Sequence, residues 1–189
     1  SGVINDETKR LGFLVEKVLQ MSLFERQKAT LKLKELDAND LIVSVANTFA
    51  LKVEKYGGTL DLDLEALDST IYVDEMHITN VLFNLMDNAV KYRRQDVPLA
   101  LVVRTWNENG KLHISVEDNG IGIKKEYLKK VFDRFFRVPT GNKHDVKGFG
   151  LGLAYVRKII EDHKGSIRAE QGNNNIGTKF IITLPLIKS

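Results

Sequence analysis

The chain has 189 residues, of which 43% are hydrophobic and 28% charged, a composition typical of a soluble globular domain. The net charge of +3 is too balanced to indicate nucleic-acid binding, and no dense basic run contains interleaved aromatic residues. The absence of cysteine excludes a disulfide framework, a zinc–cysteine site and a cysteine nucleophile, and no apolar run approaches the roughly 18 residues of a membrane span.

The first predicted element is a helix from Asp6 to about Ala29. A seam of the heptad type runs along it, but only about two heptads are apolar, fewer than the three or four that indicate a coiled coil. This helix therefore either packs on its own domain or forms half of an interrupted helical hairpin. The seam consists of Leu11, Val15, Val18, Ser22 and Glu25, with Leu14 and Met21 beside it.

Strands and helices are mixed along the rest of the chain. Alternating apolar and polar residues predict strands, and apolar residues at helical spacing predict helices. The predicted strands are 30–36, 59–64, 70–73, 99–106, 111–118, 166–171 and 178–184. The predicted helices are one capped within 37–40 and ending near 56, one capped by Asp74 that carries residues 84–92, and 125–132 and 150–164.

The last four strands pair in the sequence as two hairpin-like units, the first joined by the turn signal Glu108-Asn109-Gly110. This order predicts an α+β fold, a two-layer sandwich with helices on one face of a mixed, mostly antiparallel sheet, preceded by one helix. Residues 133–149 have little periodicity, and a loop this long inside a compact domain is usually functional or disordered.

A polar stripe on the helix that carries residues 84–92 is the first candidate site. Asn84, Asn88 and Lys91 fall within roughly 60° of one another around the helix axis, at the border of its apolar face. Two carboxamides and a lysine in line suit a ligand with phosphates and a divalent metal. The alternative is a solvated helix face.

Asp118 is the second candidate, because it ends a strand on the same side as Leu112, Ile114 and Val116. A carboxylate in that position needs a hydrogen-bond donor, since burying it unpaired is costly. A ligand amino group, such as the exocyclic amine of adenine, would serve. The alternative donors are the backbone N–H groups of its own turn, Asn119-Gly120.

Two glycine clusters complete the candidates. Gly120-Ile121-Gly122 gives a backbone that can approach a flat ring closely. Gly148-Phe-Gly150-Leu-Gly152 opens a predicted helix, where exposed N–H groups and the helix dipole favour an anion. The second cluster has neither the dinucleotide fingerprint spacing nor a Walker A lysine, which excludes Rossmann and P-loop sites.

Four stretches, in their order and spacing, resemble the ATP-binding catalytic domain of two-component sensor histidine kinases, of the GHKL or Bergerat-type superfamily. They are Asn84…Asn88…Lys91-Tyr92, Asp118-Asn-Gly120-Ile-Gly122, Phe132-Asp-Arg-Phe135-Phe136-Arg137 and Gly148-Phe-Gly150-Leu-Gly152-Leu. The resemblance covers residues 30–189, with Gly177-Thr178 as the final glycine motif. Residues 1–29, with their Arg10-Leu11 to Glu25-Arg26 pattern, resemble the second helix of a truncated dimerisation and phosphoacceptor hairpin.

The resemblance implies roles for the polar stripe. Asn88 would bind Mg²⁺ through its side-chain oxygen, and Asn84 would support the metal or the γ-phosphate. Lys91 would contact phosphates, so that Asn84 and Lys91 are the expected catalytic residues. Tyr92 would pack beside the nucleotide.

The resemblance also assigns the base pocket and a lid. Asp118 would accept from the adenine amine, and residues 133–149 would be the mobile lid over ATP. The expected nucleotide-binding residues beyond the stripe are Asp118, Gly120, Gly122, Ile123 and Thr178 around the base, Phe135 in the lid, Arg137 with Lys143 or Lys147 reaching the phosphates, and Gly148, Gly150, Leu151 and Gly152 cradling them.

The acceptor of the phosphoryl group is the open question. The family phosphorylates a histidine on the first hairpin helix, and none of His77, His113, His144 and His163 has that context. We therefore expect no self-phosphorylation by this chain. Expected partners are ATP, the protein's own hairpin, a second copy in the intact protein and a response regulator, with no nucleic acid and no membrane contact by this chain.

Two further functions stay open beside histidine phosphorylation. One is a non-catalytic nucleotide-sensing or interaction module, and the other is a hydrolytic ATPase of the same fold. Hydrolytic relatives carry a glutamate general base where this chain has Asn84, and an amide cannot take a proton from water. The resemblance also implies that the chain is the cytoplasmic part of a protein anchored in the cell membrane.

Overall fold

The computed structural model describes residues 30–136 and 152–187. The predicted helix at 6–29 and most of the predicted lid lie outside these ranges. In chain order the described elements are β1 (Leu33–Asp37), α1 (Ala38–Lys55), β2 (Thr59–Leu64), β3 (Thr70–Asp74), α2 (Glu75–Lys91), β4 (Ala100–Glu108), β5 (Lys111–Asp118), the short 3₁₀ helices Lys125–Tyr127 and Lys130–Phe132, α3 (Gly152–Asp162), β6 (Ser166–Gln171), the 3₁₀ helix Asn173–Asn175 and β7 (Thr178–Pro185).

The main sheet has five strands in the order β2-β4-β5-β7-β6. β2 runs parallel to β4, and the other three pairs are antiparallel, which confirms the predicted mixed, mostly antiparallel sheet. β1 and β3 form a separate two-stranded antiparallel sheet that the sequence did not predict. Pairing between strands 30 or more residues apart depends on long-range contacts that local patterning does not encode.

The helices cover one face of the main sheet, as predicted. Leu112, Ile114 and Val116 of β5 are at most 2% exposed and join the apolar residues of all three helices in one core. α2 lies in the middle of the helical layer, because it packs against both α1 and α3. Its core side is formed by Ile78, Val81, Leu82, Leu85, Met86, Ala89 and Val90, which are all buried.

Both long helices begin where caps were predicted, α1 at Asp37 within the predicted 37–40 and α2 at Asp74. Asp37 accepts from the Asp40 N–H at 3.0 Å, and Asp74 accepts from the His77 N–H at 3.1 Å. The cap at Asp74 sets the residue at which α2 begins. Burial of its apolar residues then orients the helix and places the polar stripe at the edge of the core.

Some boundaries differ from the prediction. The helix expected at 125–132 is two 3₁₀ turns, because residues 128 and 129 interrupt it. On β5, Ser115 and Glu117 point away from the helices, yet both are buried. Arg104 on β4 lies over this part of the sheet and contacts Glu117 Oε1 at 2.7 Å, which encloses the polar side chains.

Candidate functional site

The polar stripe of α2 faces the first described residue of α3. Asn84 donates through Nδ2 to the carbonyl of Asn80 at 2.7 Å. A Cβ built on Gly152 would lie 3.3 Å from Asn84 Oδ1, which is tighter than an ordinary contact. The end of the Gly148–Gly152 motif therefore lies directly against the carboxamide of Asn84, although the two are far apart in the sequence.

Lys91 and Asn88 differ in how they are held. The Lys91 ammonium lies 3.5 Å from Asp87 Oδ2, and Lys52 on α1 contacts Asp87 Oδ1 at 2.6 Å. Asp87 thus holds two lysines at the edge of the stripe. Asn88 is half-buried, and its side chain makes no hydrogen bond to any residue of 30–136 or 152–187.

Asp118 has two backbone donors on a single oxygen. Its Oδ1 accepts from the N–H of Gly120 at 2.8 Å and from the N–H of Thr178 at 3.3 Å. Burial raises the pKa of the carboxyl group to about 6, the neighbouring charge of Glu117 adds to the rise, and the two backbone hydrogen bonds oppose it. The expected turn contact with Gly120 is therefore present, and it occupies only one of the two oxygens.

The loop after Asp118 is fixed to the C-terminal end of α2. The Ile121 N–H donates to the carbonyl of Tyr92 at 3.0 Å. A Cβ on Gly120 would lie 2.4 Å from the same carbonyl oxygen, so only glycine permits this approach. Tyr92 and Asp118, two predicted site residues, are thereby brought to one end of the helix.

A second close approach joins the loop to the start of β7. Gly177 has a φ of +72°, and a Cβ there would lie 1.9 Å from the carbonyl oxygen of Asp118. Gly122 has a φ of +77° and faces the carbonyl of Gly177. These glycines let Thr178, which is buried, reach the Asp118 carboxylate through its backbone N–H.

Asn119 and Arg94 are site-supporting residues that the sequence reasoning missed. The Asn119 side chain accepts from the Ala100 N–H at 2.8 Å and donates to the Pro98 carbonyl at 3.0 Å. The Arg94 Nε donates to the Asn119 carbonyl at 2.8 Å. An asparagine between Asp118 and Gly120 was a signal for such a turn-stabilising role.

Two other predicted site residues, Ile123 and Phe135, lie away from the contacts described above. Ile123 packs against the core, and its carbonyl accepts from Gln171 at 3.4 Å. Phe135 is 66% exposed with a φ of +61°, and the structure does not bring it to the polar stripe. Arg137, Lys143, Lys147, Gly148, Gly150 and Leu151 lie outside the described residues.

The three described histidines are held by neighbours outside the stripe. Both ring nitrogens of His163 are committed to main-chain groups, the Asp74 N–H at 3.0 Å and the Ile159 carbonyl at 2.7 Å. His77 contacts the Tyr155 hydroxyl at 2.8 Å, and His113 stacks on Trp106. His144 lies outside the described ranges.

The available donors decide which metal chemistry fits. In the described part of the chain, no group of three or more His, Cys, Asp or Glu side chains is placed to hold a metal ion. Amide oxygens from the stripe are instead suited to Mg²⁺, which takes few protein ligands and completes its shell with phosphate and water.

None of the helices in the described ranges combines the length and apolarity needed to cross a membrane.

Comparisons with known proteins agree with this geometry. Residues 73–188 match the family model described as "Histidine kinase-, DNA gyrase B-, and HSP90-like ATPase". The chain is 73% identical over 189 residues to the sensor protein RprX of Bacteroides fragilis, and it covers 36% of that protein. The chain therefore spans about a third of the length of this relative.

Solved structures give the same assignment. The catalytic domain of histidine kinase ThkA is 30% identical, with a TM-score of 0.70, and the match covers 82% of this chain and 97% of that one. ThkA in complex with the response regulator protein TrrA matches 98% of this chain and 50% of the kinase, with 27% identity and a TM-score of 0.76. The chain therefore belongs to the histidine kinase-, DNA gyrase B- and HSP90-like ATPase family, and within it to the catalytic domains of sensor histidine kinases.

Proposed function

We propose that the chain binds Mg²⁺-ATP along the C-terminal half of α2 and, in the complete protein, transfers the γ-phosphoryl group to a histidine on a dimerisation hairpin. The observation that carries this proposal is the position of α2 between two glycine-rich segments. Tyr92 contacts the Asp118 loop, and Asn84 contacts Gly152 at the start of α3.

The spacing along α2 supports one nucleotide spanning both ends. Asn84 and Tyr92 are eight residues apart, which is about 12 Å at the rise of an α-helix. A nucleoside triphosphate is long enough to place its base beside Tyr92 and its terminal phosphate beside Asn84. The base would then lie next to the Asp118 carboxylate, and the phosphates next to the Gly152 backbone.

The phosphate end has the chemistry that phosphoryl transfer requires, which is mainly positioning and charge neutralisation. Asn88 would hold Mg²⁺ through its amide oxygen, and Asn84 would support the metal or the γ-phosphate. When bound, the metal supplies charge neutralisation on the phosphate chain. Lys91 would add a second positive charge after leaving Asp87, and Arg137 with Lys143 or Lys147 would contribute from the lid.

Asn84 favours transfer to histidine over hydrolysis. Its amide cannot act as a general base for water, and its Nδ2 is already committed to the Asn80 carbonyl. We further propose residues 1–29 as part of the hairpin, residues 30–189 as the catalytic domain, and a homodimeric, membrane-anchored parent protein. The solved ThkA complex with a response regulator supports a regulator as downstream partner.

ATP binding is the first test. Calorimetric titration of the 189-residue chain with ATP should give Mg²⁺-dependent saturation, and EDTA should weaken it. No detectable binding at millimolar ATP with Mg²⁺ would exclude the proposal.

Phosphoryl transfer is the second test. A separate hairpin peptide carrying the acceptor histidine should acquire acid-labile label from γ-labelled ATP when this chain is added. The Asn88→Ala chain is the control and should give little label. Label appearing on this chain alone would contradict the expected lack of self-phosphorylation, and steady phosphate release without transfer would indicate a hydrolytic ATPase.

A further inference from the structure

The uncompensated positive charge of the chain is concentrated in residues 124–134, which we call the cationic segment. Its basic residues are Lys124, Lys125, Lys129, Lys130 and Arg134, and its acidic residues are Glu126 and Asp133. The net charge of this segment therefore equals the +3 of the whole chain, and the rest of the chain is neutral overall. A charge this localised gives the protein one electrostatically distinct side.

The local fold turns the four lysines of the cationic segment outward. The segment contains the two 3₁₀ helices Lys125–Tyr127 and Lys130–Phe132. Tyr127, Val131 and Phe132 pack against the core, whereas all four lysines are exposed. In the sequence these lysines are interleaved with apolar residues and form no dense run. Only the folded segment separates the two kinds of side chain and collects the lysines on its outer side.

Neighbouring carboxylates do not neutralise these lysines. The lysines that form ion pairs within 30–136 and 152–187 are Lys34, Lys52, Lys91 and Lys158. One of the two acidic residues of the segment, Asp133, is shared with α3, because Arg157 Nη2 lies 3.7 Å from its Oδ1. Soluble surfaces usually mix charges of both signs. The cationic segment instead presents unpaired ammonium groups to an external anion.

Large exposed apolar side chains flank the cationic segment. Ile121, three residues before it, is 52% exposed, and Phe135, directly after it, is 66% exposed. Basic side chains beside isolated aromatic or aliphatic ones are the combination that binds the interface of an anionic bilayer. The cations meet the lipid phosphates there, and the apolar groups enter the boundary between headgroups and acyl chains.

We propose that residues 121–135 form a peripheral membrane-binding surface for anionic phospholipids. A bilayer fits better than an acidic protein, because lysine is depleted at protein–protein interfaces. The proposal goes beyond the nucleotide binding proposed above and requires no ATP. It revises the expectation that this chain makes no membrane contact.

The contact is expected to be weak for the isolated chain and effective in the complete protein. A basic residue near an anionic membrane surface contributes about 5-fold to binding, so a net charge of +3 gives only a reversible association. In the membrane-anchored parent proposed above, the anchor keeps the domain near the bilayer. The local concentration of the domain is then high enough for a weak second contact to form.

Vesicle co-sedimentation of the 189-residue chain is the test. The chain should bind phosphatidylcholine vesicles that contain about 40% phosphatidylglycerol, in about 50 mM salt, and should not bind vesicles of phosphatidylcholine alone. Raising the salt to about 500 mM should release most of the bound chain, because the Debye length becomes shorter than the spacing of the charges. No binding to the anionic vesicles at low salt would overturn the proposal.

A charge-matched pair of variants locates the surface. The first variant changes all four lysines of the cationic segment to Gln and should lower partition onto anionic vesicles by more than about 20-fold. The control changes four exposed lysines elsewhere to Gln and should lower it by less than about 3-fold. The control positions are Lys32, Lys55, Lys111 and Lys164, none of which forms an ion pair within the described ranges. Because both variants have the same net charge, equal losses would assign the binding to overall charge and overturn the proposal.

A second pair of variants separates a bilayer from a soluble polyanion. Phe135→Ser should weaken vesicle binding by about 3- to 10-fold and leave binding to polyglutamate unchanged. Leu67→Ser, which removes a side chain that is 96% exposed in another loop, should change neither. Tighter binding of the unsubstituted chain to polyglutamate or to a DNA duplex than to vesicles of equal charge concentration would assign the lysines to a protein or a nucleic acid, against the proposal.

The outcomes are independent of the proposed function. Circular dichroism and ATP titration on the same samples show whether each variant is folded and binds nucleotide. A chain that binds ATP and not anionic vesicles overturns only the membrane surface, and a chain that binds vesicles and not ATP overturns only the nucleotide site. If the four-lysine variant does not fold, the lipid selectivity and the salt dependence of the unsubstituted chain decide.

Discussion

The two ends of the proposed nucleotide site, a base end and a phosphate end, are held by different kinds of contact. At the base end, backbone groups hold the Asp118 loop, through the Tyr92 carbonyl, the Thr178 N–H and the close approach of Gly177. At the phosphate end, side chains dominate, and the Lys91 ammonium shares Asp87 with Lys52. One end is held by short, directional main-chain contacts and the other by flexible ion pairs near the surface.

This difference has a functional meaning. Surface ion pairs are worth roughly 0–1 kcal/mol each, so a ligand can displace them at low cost. A backbone approach that admits only glycine cannot rearrange without moving whole strands. We therefore expect the base end to be preformed and the phosphate end to reorganise when nucleotide binds.

The largest expected effect is at Gly177. Gly177→Ala and Gly110→Ala place a side chain at nearly the same left-handed φ, +72° and +71°. Only at Gly177 does the new Cβ meet a neighbour, the Asp118 carbonyl at 1.9 Å. Urea unfolding should give a loss of about 1 kcal/mol for Gly110→Ala and more than about 3 kcal/mol for Gly177→Ala. Equal losses of unfolding free energy for the two variants would mean that the backbone at the base end can rearrange to accommodate a side chain.

The second effect is the pH dependence of ATP affinity. The pKa of Asp118 is raised to about 6, and protonation of Oδ2 would remove the acceptor for the adenine amine. Purine riboside triphosphate is ATP without the amino group at position 6 of its base. The affinity for ATP relative to this analogue should therefore fall by up to about tenfold per pH unit below pH 6. Because the two ligands share their phosphates, their ratio isolates the carboxyl group. A ratio that is flat from pH 5 to 8 would contradict this.

The same pKa predicts the opposite trend for stability without ligand. The folded chain binds a proton at Asp118 more tightly than the unfolded chain, whose carboxyl has an ordinary pKa of 3.8. Asp118 therefore costs stability above pH 6, by an amount on the order of 3 kcal/mol, and this cost disappears as the pH falls from about 6 to 4. In urea unfolding at pH 8, the Asp118→Asn variant should have a higher free energy of unfolding than the unsubstituted chain. Near pH 4 this advantage should disappear.

At the phosphate end, Asn88→Ala should remove most of the metal dependence of ATP binding. We expect the ratio of ATP affinities with Mg²⁺ and with EDTA to fall about 10-fold, because an amide oxygen is lost from the metal. Gln95→Ala removes an exposed amide near the same end of α2 and should leave the ratio unchanged. If both variants behave alike, Asn88 is only part of a solvated face.

The smallest expected effect is on ATP affinity when either of the two lysines that contact Asp87 is replaced. Lys91→Ala and Lys52→Ala each remove one ion pair with this carboxylate. If Lys91 moves to the phosphates, only its loss should weaken ATP, by about 3- to 10-fold and less at high salt. Thermal stability should change little in either case. Equal ATP affinities for the two variants would assign Lys91 to Asp87 alone.

Local patterns in the sequence were sufficient for most of the elements. The apolar spacing of α2 predicted the helix and its core side, Asp74 predicted its start, and alternation predicted β2 and β5. The fold class followed from the order of these elements. The separate β1–β3 sheet and the parallel pairing of β2 with β4 did not, since strands of similar composition can pair in several ways.

The candidate site divides in the same way. The sequence alone specified the residue types of the site. It placed two amides and a lysine on the border of one helix and a carboxylate at the end of an apolar strand, because side-chain spacing follows from the period of each element. Only the tertiary structure placed Gly152 against Asn84, Tyr92 against the Asp118 loop and Thr178 on one oxygen of Asp118. These contacts join elements far apart in the chain, and the close packing of the fold, not local propensity, decides which atoms meet.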